Sequence, residues 1–188
     1  MADDNAQWGP LARLIGTWEG DEGVDVAFAH ADGRVKETSY RERTVLNPFG
    51  PVDNGTQCLY GLDYRMAAWR GDEVDPFHTE VGYWLWDAGD RAVMRCFMIP
   101  RGSTVLAGGI TTPDSTSFTM AADVGSEMYG ILSNPYLAKA ARTTRYVCVV
   151  TVEDDDTWTY DETSTIAHER HGDLLEHTDR NRLHRASE

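Results

Sequence analysis

The chain has 188 residues and 41% hydrophobic content, enough for one sizeable core, and predicts a single domain over residues 1–188. Seventeen Lys and Arg against 31 Asp and Glu give a formal net charge of −14, a field that repels a nucleic-acid backbone and an anionic membrane surface. No apolar run approaches the roughly 20 residues of a membrane span, and the opening MADDNAQW is acidic where a secretory leader is basic and then apolar, so a soluble cytoplasmic protein is expected.

The first predicted element is a helix of one or two turns over residues 10–15, where Pro10 suits a helix start, Leu11, Leu14 and Ile15 recur at helical spacing and Gly16 stops the run. From Val24 onward the pattern changes to short aromatic and β-branched runs broken by Gly, Asp, Asn or Pro, the reading of consecutive strands. Strands are predicted at 23–30, 35–46, 57–69, 76–86, 92–99, 105–112, 115–122, 143–153, 157–169 and 173–185. Turn chemistry such as Ala31-Asp32-Gly33, Thr112-Pro113-Asp114 and His171-Gly172 separates them. A second short helix or ordered loop is expected at 134–142, after Asn134-Pro135, and the longer stretch 125–142 is a candidate cover for whatever lies beneath.

About ten antiparallel strands in sequence leave open edges unless the sheet closes. The economical solution is an all-β, antiparallel up-and-down β-barrel of the lipocalin or fatty-acid-binding type with a short N-terminal helix; a β-sandwich is the runner-up. Barrels of this size enclose a ligand cavity, so the chemistry should reside in the inward-facing side chains. Cys58, Cys96 and Cys148 form no C-x-x-C pair and are expected as reduced, mostly buried thiols. No nucleophile elbow, P-loop or dinucleotide fingerprint is present.

Histidine is the most informative residue type: His30, His78, His168, His171, His177 and His184. His168 and His171 flank the last hairpin turn and are expected in solvent. In the final strand, the two-residue period puts Leu175, His177, Asp179, Asn181 and Leu183 on one face and the more charged set on the other. The first set is the candidate interior face, so the His177 imidazole enters the cavity. There it is suited to a metal or haem iron, and equally to a hydrogen bond with a neighbouring strand. His78, Glu80, Gly82, Trp84 and Trp86 share a face of the fourth predicted strand, with His78 and Glu80 expected to lie too far apart to touch.

Several of these stretches resemble the nitrobindin family of small haem-binding barrels. Gly16, Trp18 and Gly20 match the family's G-x-W-x-G-x-G-x-G opening, with Glu22 where the next glycine is usual and Gly23 one place late. Pro76-Phe77-His78-Thr79-Glu80-Val81-Gly82 is similar to its P-x-H-x-E-x-G strand, Pro100-Arg101-Gly102 to a small turn, and the stretch from Glu176 to Leu183 to its final strand. The resemblance implies a ten-stranded barrel with a b-type haem (haem b) at its mouth and His177 as the proximal iron ligand. It also implies that Phe77 and His78 border the pocket, His78 on the distal side. It further implies nitric oxide binding and conversion of peroxynitrite to nitrate. The rival expectation is a non-enzymatic carrier of a fatty acid or other hydrophobic small molecule, with Arg95, Arg145 or Arg180 meeting the carboxylate. A third is a barrel enzyme using His78 and Glu80. A homodimer is compatible with any of the three.

Overall fold

The structure is a computed structural model and describes residues 5–29, 32–169 and 171–187. His30 lies outside the described residues. Eleven strands form a closed barrel: β1 (Gly16–Ala29), β2 (Arg34–Asp53), β3 (Cys58–Trp69), β4 (His78–Asp87), β5 (Ala92–Ile99), β6 (Ser103–Ile110), β7 (Ser117–Val124), β8 (Gly130–Ser133), β9 (Ala141–Val152), β10 (Thr157–His168) and β11 (Leu174–Arg185). Closure comes from β11 pairing antiparallel with β1, which joins the two ends of the chain. This excludes the sandwich.

Two expectations about the strands are corrected. There are eleven strands, because the four-residue β8 lies inside the segment read as loop, and β8 runs parallel to β7 where a wholly antiparallel barrel was expected. Four residues are too few to show a strand period, and the turn at 125–129 sends the chain back in the same direction as β7. The second predicted helix is α1 (Pro135–Ala140), capped by Asn134, whose carboxamide oxygen accepts from the Leu137 amide at 2.9 Å while its amide group donates to the Arg101 carbonyl at 2.6 Å. Asn134→Ala is expected to cost about 1 kcal/mol in chemical denaturation, the usual value of such a cap.

The predicted N-terminal helix is a 3-10 helix, Ala6–Leu14, interrupted at Gly9, where φ is 53°. It plugs one end of the barrel. Leu11 and Leu14 are fully buried, and the Trp8 indole donates to the carbonyls of Phe49 and Gly61 at 3.2 and 3.0 Å. Inside this end Trp18, Trp84 and Trp158 meet edge to face, with centroids 6.2 and 6.3 Å apart along the series, and fill the interior with aromatic volume. Antiparallel order places the β1–β2, β3–β4, β5–β6 and β10–β11 turns at the opposite end, which has no such plug. No helix among the described residues is long and apolar enough to cross a membrane.

Two glycines set the wall beside the site. A Cβ on Gly82 would sit 1.9 Å from the Cys96 carbonyl oxygen, so β4 and β5 approach as they do only because this position is bare. A Cβ on Gly23 would sit 2.5 Å from the Tyr40 ring; its absence lets that ring turn into the barrel. Of the cysteines, Cys148 alone is buried, Cys96 is half-buried and Cys58 is exposed, which corrects the expectation that most are interior.

Candidate functional site

The unplugged end opens into a cavity of about 380 Å³ lined by β1, β2, β4, β5, β6, β8, β9, β10, β11 and α1. Apolar side chains such as Phe28, Phe77, Phe97, Ile131, Leu137 and Leu175 form much of its wall, so the stretch around α1 does border the cavity. The alternation read from the final strand holds: Leu175, Asn181 and Leu183 are buried and His177 and Asp179 half-buried, while Glu176, Arg180, Arg182 and His184 are exposed. His177, His78 and Phe77 all line the cavity. His168 does too and is buried, contrary to the expectation of solvent exposure, because β10 extends to it and turns its ring inward; His171 is exposed as expected.

Three polar residues of the lining, Glu80, Tyr146 and Glu162, are tied together by Arg95. This guanidinium, fully enclosed, donates to Glu80 at 2.6 Å, to Glu162, and to the hydroxyls of Tyr64 and Tyr146 at 2.8 and 2.5 Å. It also lies over the Phe97 ring, 4.5 Å from the centroid. Glu80 in turn accepts from Tyr64 at 2.9 Å and meets His78 Nε2 at 3.1 Å. The expectation that His78 and Glu80 could not touch is therefore wrong: both side chains are long and lean along β4 to close the two-residue gap. Burial alone would raise the Glu80 pKa, but Arg95, then His78 and Tyr64, overrule it and hold the carboxyl down at about 2. Burial also works against the His78 cation, and the Glu80 hydrogen bond and charge outweigh it, so the imidazole titrates above its ordinary value.

A second network starts at Asp179. Its carboxylate accepts from the Tyr40 hydroxyl; Tyr40 meets the Tyr160 hydroxyl at 2.8 Å; Tyr160 donates to Glu42 at 2.6 Å. Beside it His177 Nε2 meets Asp25 Oδ1 at 2.6 Å, an approach set by the β1–β11 register, in which Asp25 lies opposite Asp179. Burial opposes the charged imidazole here as well, and Asp25 more than offsets it, so the His177 pKa is also raised.

These residues suit a metal-bearing group at the level of donor chemistry. One ligand atom each from Asp25, His177 and Asp179 lies within 4.8 Å of the others, a donor set of one imidazole and two carboxylates. The apolar side chains of the wall, Phe77, Phe97, Ile131 and Leu175 among them, suit the ring of an apolar macrocycle. In contrast, the buried cation that a fatty-acid carrier needs is already engaged: Arg95 is bound by two protein carboxylates. Arg145 is exposed and paired with Asp123, and Arg180 is exposed. What sequence reasoning missed was Asp25, Tyr40 and Glu162. The β1 and β10 alternation carries a signal for Asp25 and Glu162, but their partners come only with closure.

A family model described as a THAP4-like, heme-binding beta-barrel domain matches residues 7–185. The solved structure of Rv2717c from M. tuberculosis is similar, with a TM-score of 0.67 at 18% identity over 94% of this chain and 95% of that chain, which shows a shared fold. None of the curated proteins matches.

Proposed function

Since this chain belongs to the nitrobindin family of haem-binding β-barrels, we propose that its open end takes up b-type haem, that His177 is the axial iron ligand, and that the loaded protein binds nitric oxide and isomerises peroxynitrite to nitrate. The observation that carries the reading is the His177 ring on the wall of a half-apolar cavity open at one end, with its Nε2 held by Asp25. When bound, ferric haem would supply a Lewis-acidic iron for small nitrogen oxides and for the isomerisation of peroxynitrite, a reaction without net redox change.

The chain's own residues do the rest. His177 would hold the iron, and Nε2, the nitrogen that Asp25 occupies in this structure, would be given up by Asp25 to serve as the donor. His78, whose charged form the Glu80 carboxylate favours against burial, would offer a hydrogen bond to an anionic ligand in a cavity lined by several acids. Leu137 and Ile131 cover one side and limit water. The overall charge of −14 slows entry of an anion, so substrate uptake should speed up with added salt.

Hemin added to the purified protein is expected to give a Soret band, and His177→Ala to weaken haem affinity by at least about tenfold, the loss that even outer partners of a metal ligand cause. A wild-type titration with no band would end the haem reading. An unchanged spectrum and affinity in His177→Ala would remove His177 as the ligand.

A further inference from the structure

Charge is segregated along the depth of the cavity. Asp25, Glu80, Glu162 and Asp179 line the cavity, and the enclosed Arg95 is committed to Glu80 and Glu162. The lining also includes two exposed arginines at the mouth: Arg70, in the turn after β3, and Arg101, in the turn after β5. Elsewhere on the surface Arg43, Arg145, Arg182 and Arg185 each hold an acid, while Arg65, Arg91 and Arg180 hold none among the described residues. Arg70 and Arg101 hold none among the described residues, in a chain where acids outnumber bases 31 to 17.

Both are also placed. The Arg70 guanidinium lies 4.0 Å from the centroid of the Phe77 ring, which itself lines the cavity, so one face packs on the apolar wall while its N–H edge stays free. The Arg101 main chain is fixed by the Asn134 amide donating to its carbonyl at 2.6 Å. Glu176 is the one exposed acid on the lining, leaving the mouth with a surplus of cations over an anionic interior.

We infer that Arg70 and Arg101 form a carboxylate-binding rim, taking the anionic side groups of a planar ligand whose cationic centre sits deeper, beside His177. The inference rests on the haem reading, in which those groups are the two propionates of the porphyrin. The polarity also speaks against a fatty acid: with its carboxylate at this rim, its tail would end among the acids of the lining.

The test is a spectroscopic titration of the full chain with hemin and with hemin dimethyl ester, which keeps the ring and iron but lacks free carboxylates. The double variant Arg70→Gln/Arg101→Gln is expected to bind hemin about tenfold or more weakly than wild type and to release it faster, with the two proteins equal towards the ester. Arg70→Lys/Arg101→Lys, which keeps the charge, should recover most of the affinity for hemin. Both side chains are exposed, so an unchanged melting temperature checks that the fold is retained. If wild type binds hemin and the Gln variant binds it equally well, the rim is wrong and the haem reading stands. If wild type binds neither compound, both fall.

Discussion

Arg95→Met is expected to cost the barrel about 3–5 kcal/mol at neutral pH, read as a lower urea midpoint, because it leaves two carboxylates enclosed without their cation. Arg95 is 3% exposed and Glu80 5%, so water cannot replace the lost partner. The Tyr64 hydroxyl stays as a donor to Glu80, but a hydroxyl carries no charge. The loss should shrink on acidification. Glu80 titrates at about 2 in the intact fold, below its ordinary value. A depressed carboxyl contributes stability above its unfolded pKa and loses it as pH falls towards the folded one. Wild type therefore weakens between about pH 4.5 and 2, while the variant, already without that contribution, loses less. Adding Glu80→Gln and Glu162→Gln to Arg95→Met should recover much of the deficit, since the removal of a whole buried ion cluster is often close to neutral. A single variant as stable as wild type would mean that the three groups do not form the enclosed cluster.

That cluster also shows how far the sequence could be read. The period of two in the last strand puts His177, Asp179 and Leu183 inward, and the P-x-H-x-E-x-G stretch puts His78 and Glu80 on one face with the bare Gly82 between strands; each is a local property. The partners are not local. Glu162 reaches Arg95 across the barrel from 67 residues away, and Asp25 reaches His177 from 152 residues away through the β1–β11 pairing. Alternation gives the direction of a side chain; only the register on closure gives what it meets. The same reason explains His168, which looks like a hairpin-tip residue in sequence and proves to be the last inward residue of β10. The chain order of the strands was nearly complete, and the missed β8 is too short to have a period.

Glu42→Gln should make the protein more stable above about pH 5, on the order of 1–3 kcal/mol, with the gain fading as the pH falls below the ordinary carboxyl range. Glu42 is 4% exposed and forms no ion pair among the described residues. Burial raises its pKa, and the hydrogen bonds from Tyr160, Thr44 and Asn181 offset only part of the rise. A raised carboxyl works in the opposite sense to Glu80: the fold holds a proton that the unfolded chain has released, so stability declines as pH climbs through the interval between the two pKa values. Glutamine is of nearly the same size and cannot ionise. Its oxygen can accept from Tyr160 and Asn181, which now share Glu42 Oε2 at 2.6 and 3.0 Å, and its amide can donate to Thr44, whose hydroxyl reverses role. Glu42→Leu removes the charge as well but strands those three donors, and should destabilise at every pH. A Glu42→Gln curve that parallels wild type from pH 4 to 9 would show that folding leaves the Glu42 pKa where it is in the unfolded chain and would overturn the burial argument. Either result bears on the cavity, because the Tyr160–Tyr40 hydroxyls connect Glu42 to Asp179 beside His177. A charge held at Glu42 strengthens the negative field there, and its removal should ease the approach of an anion to the site.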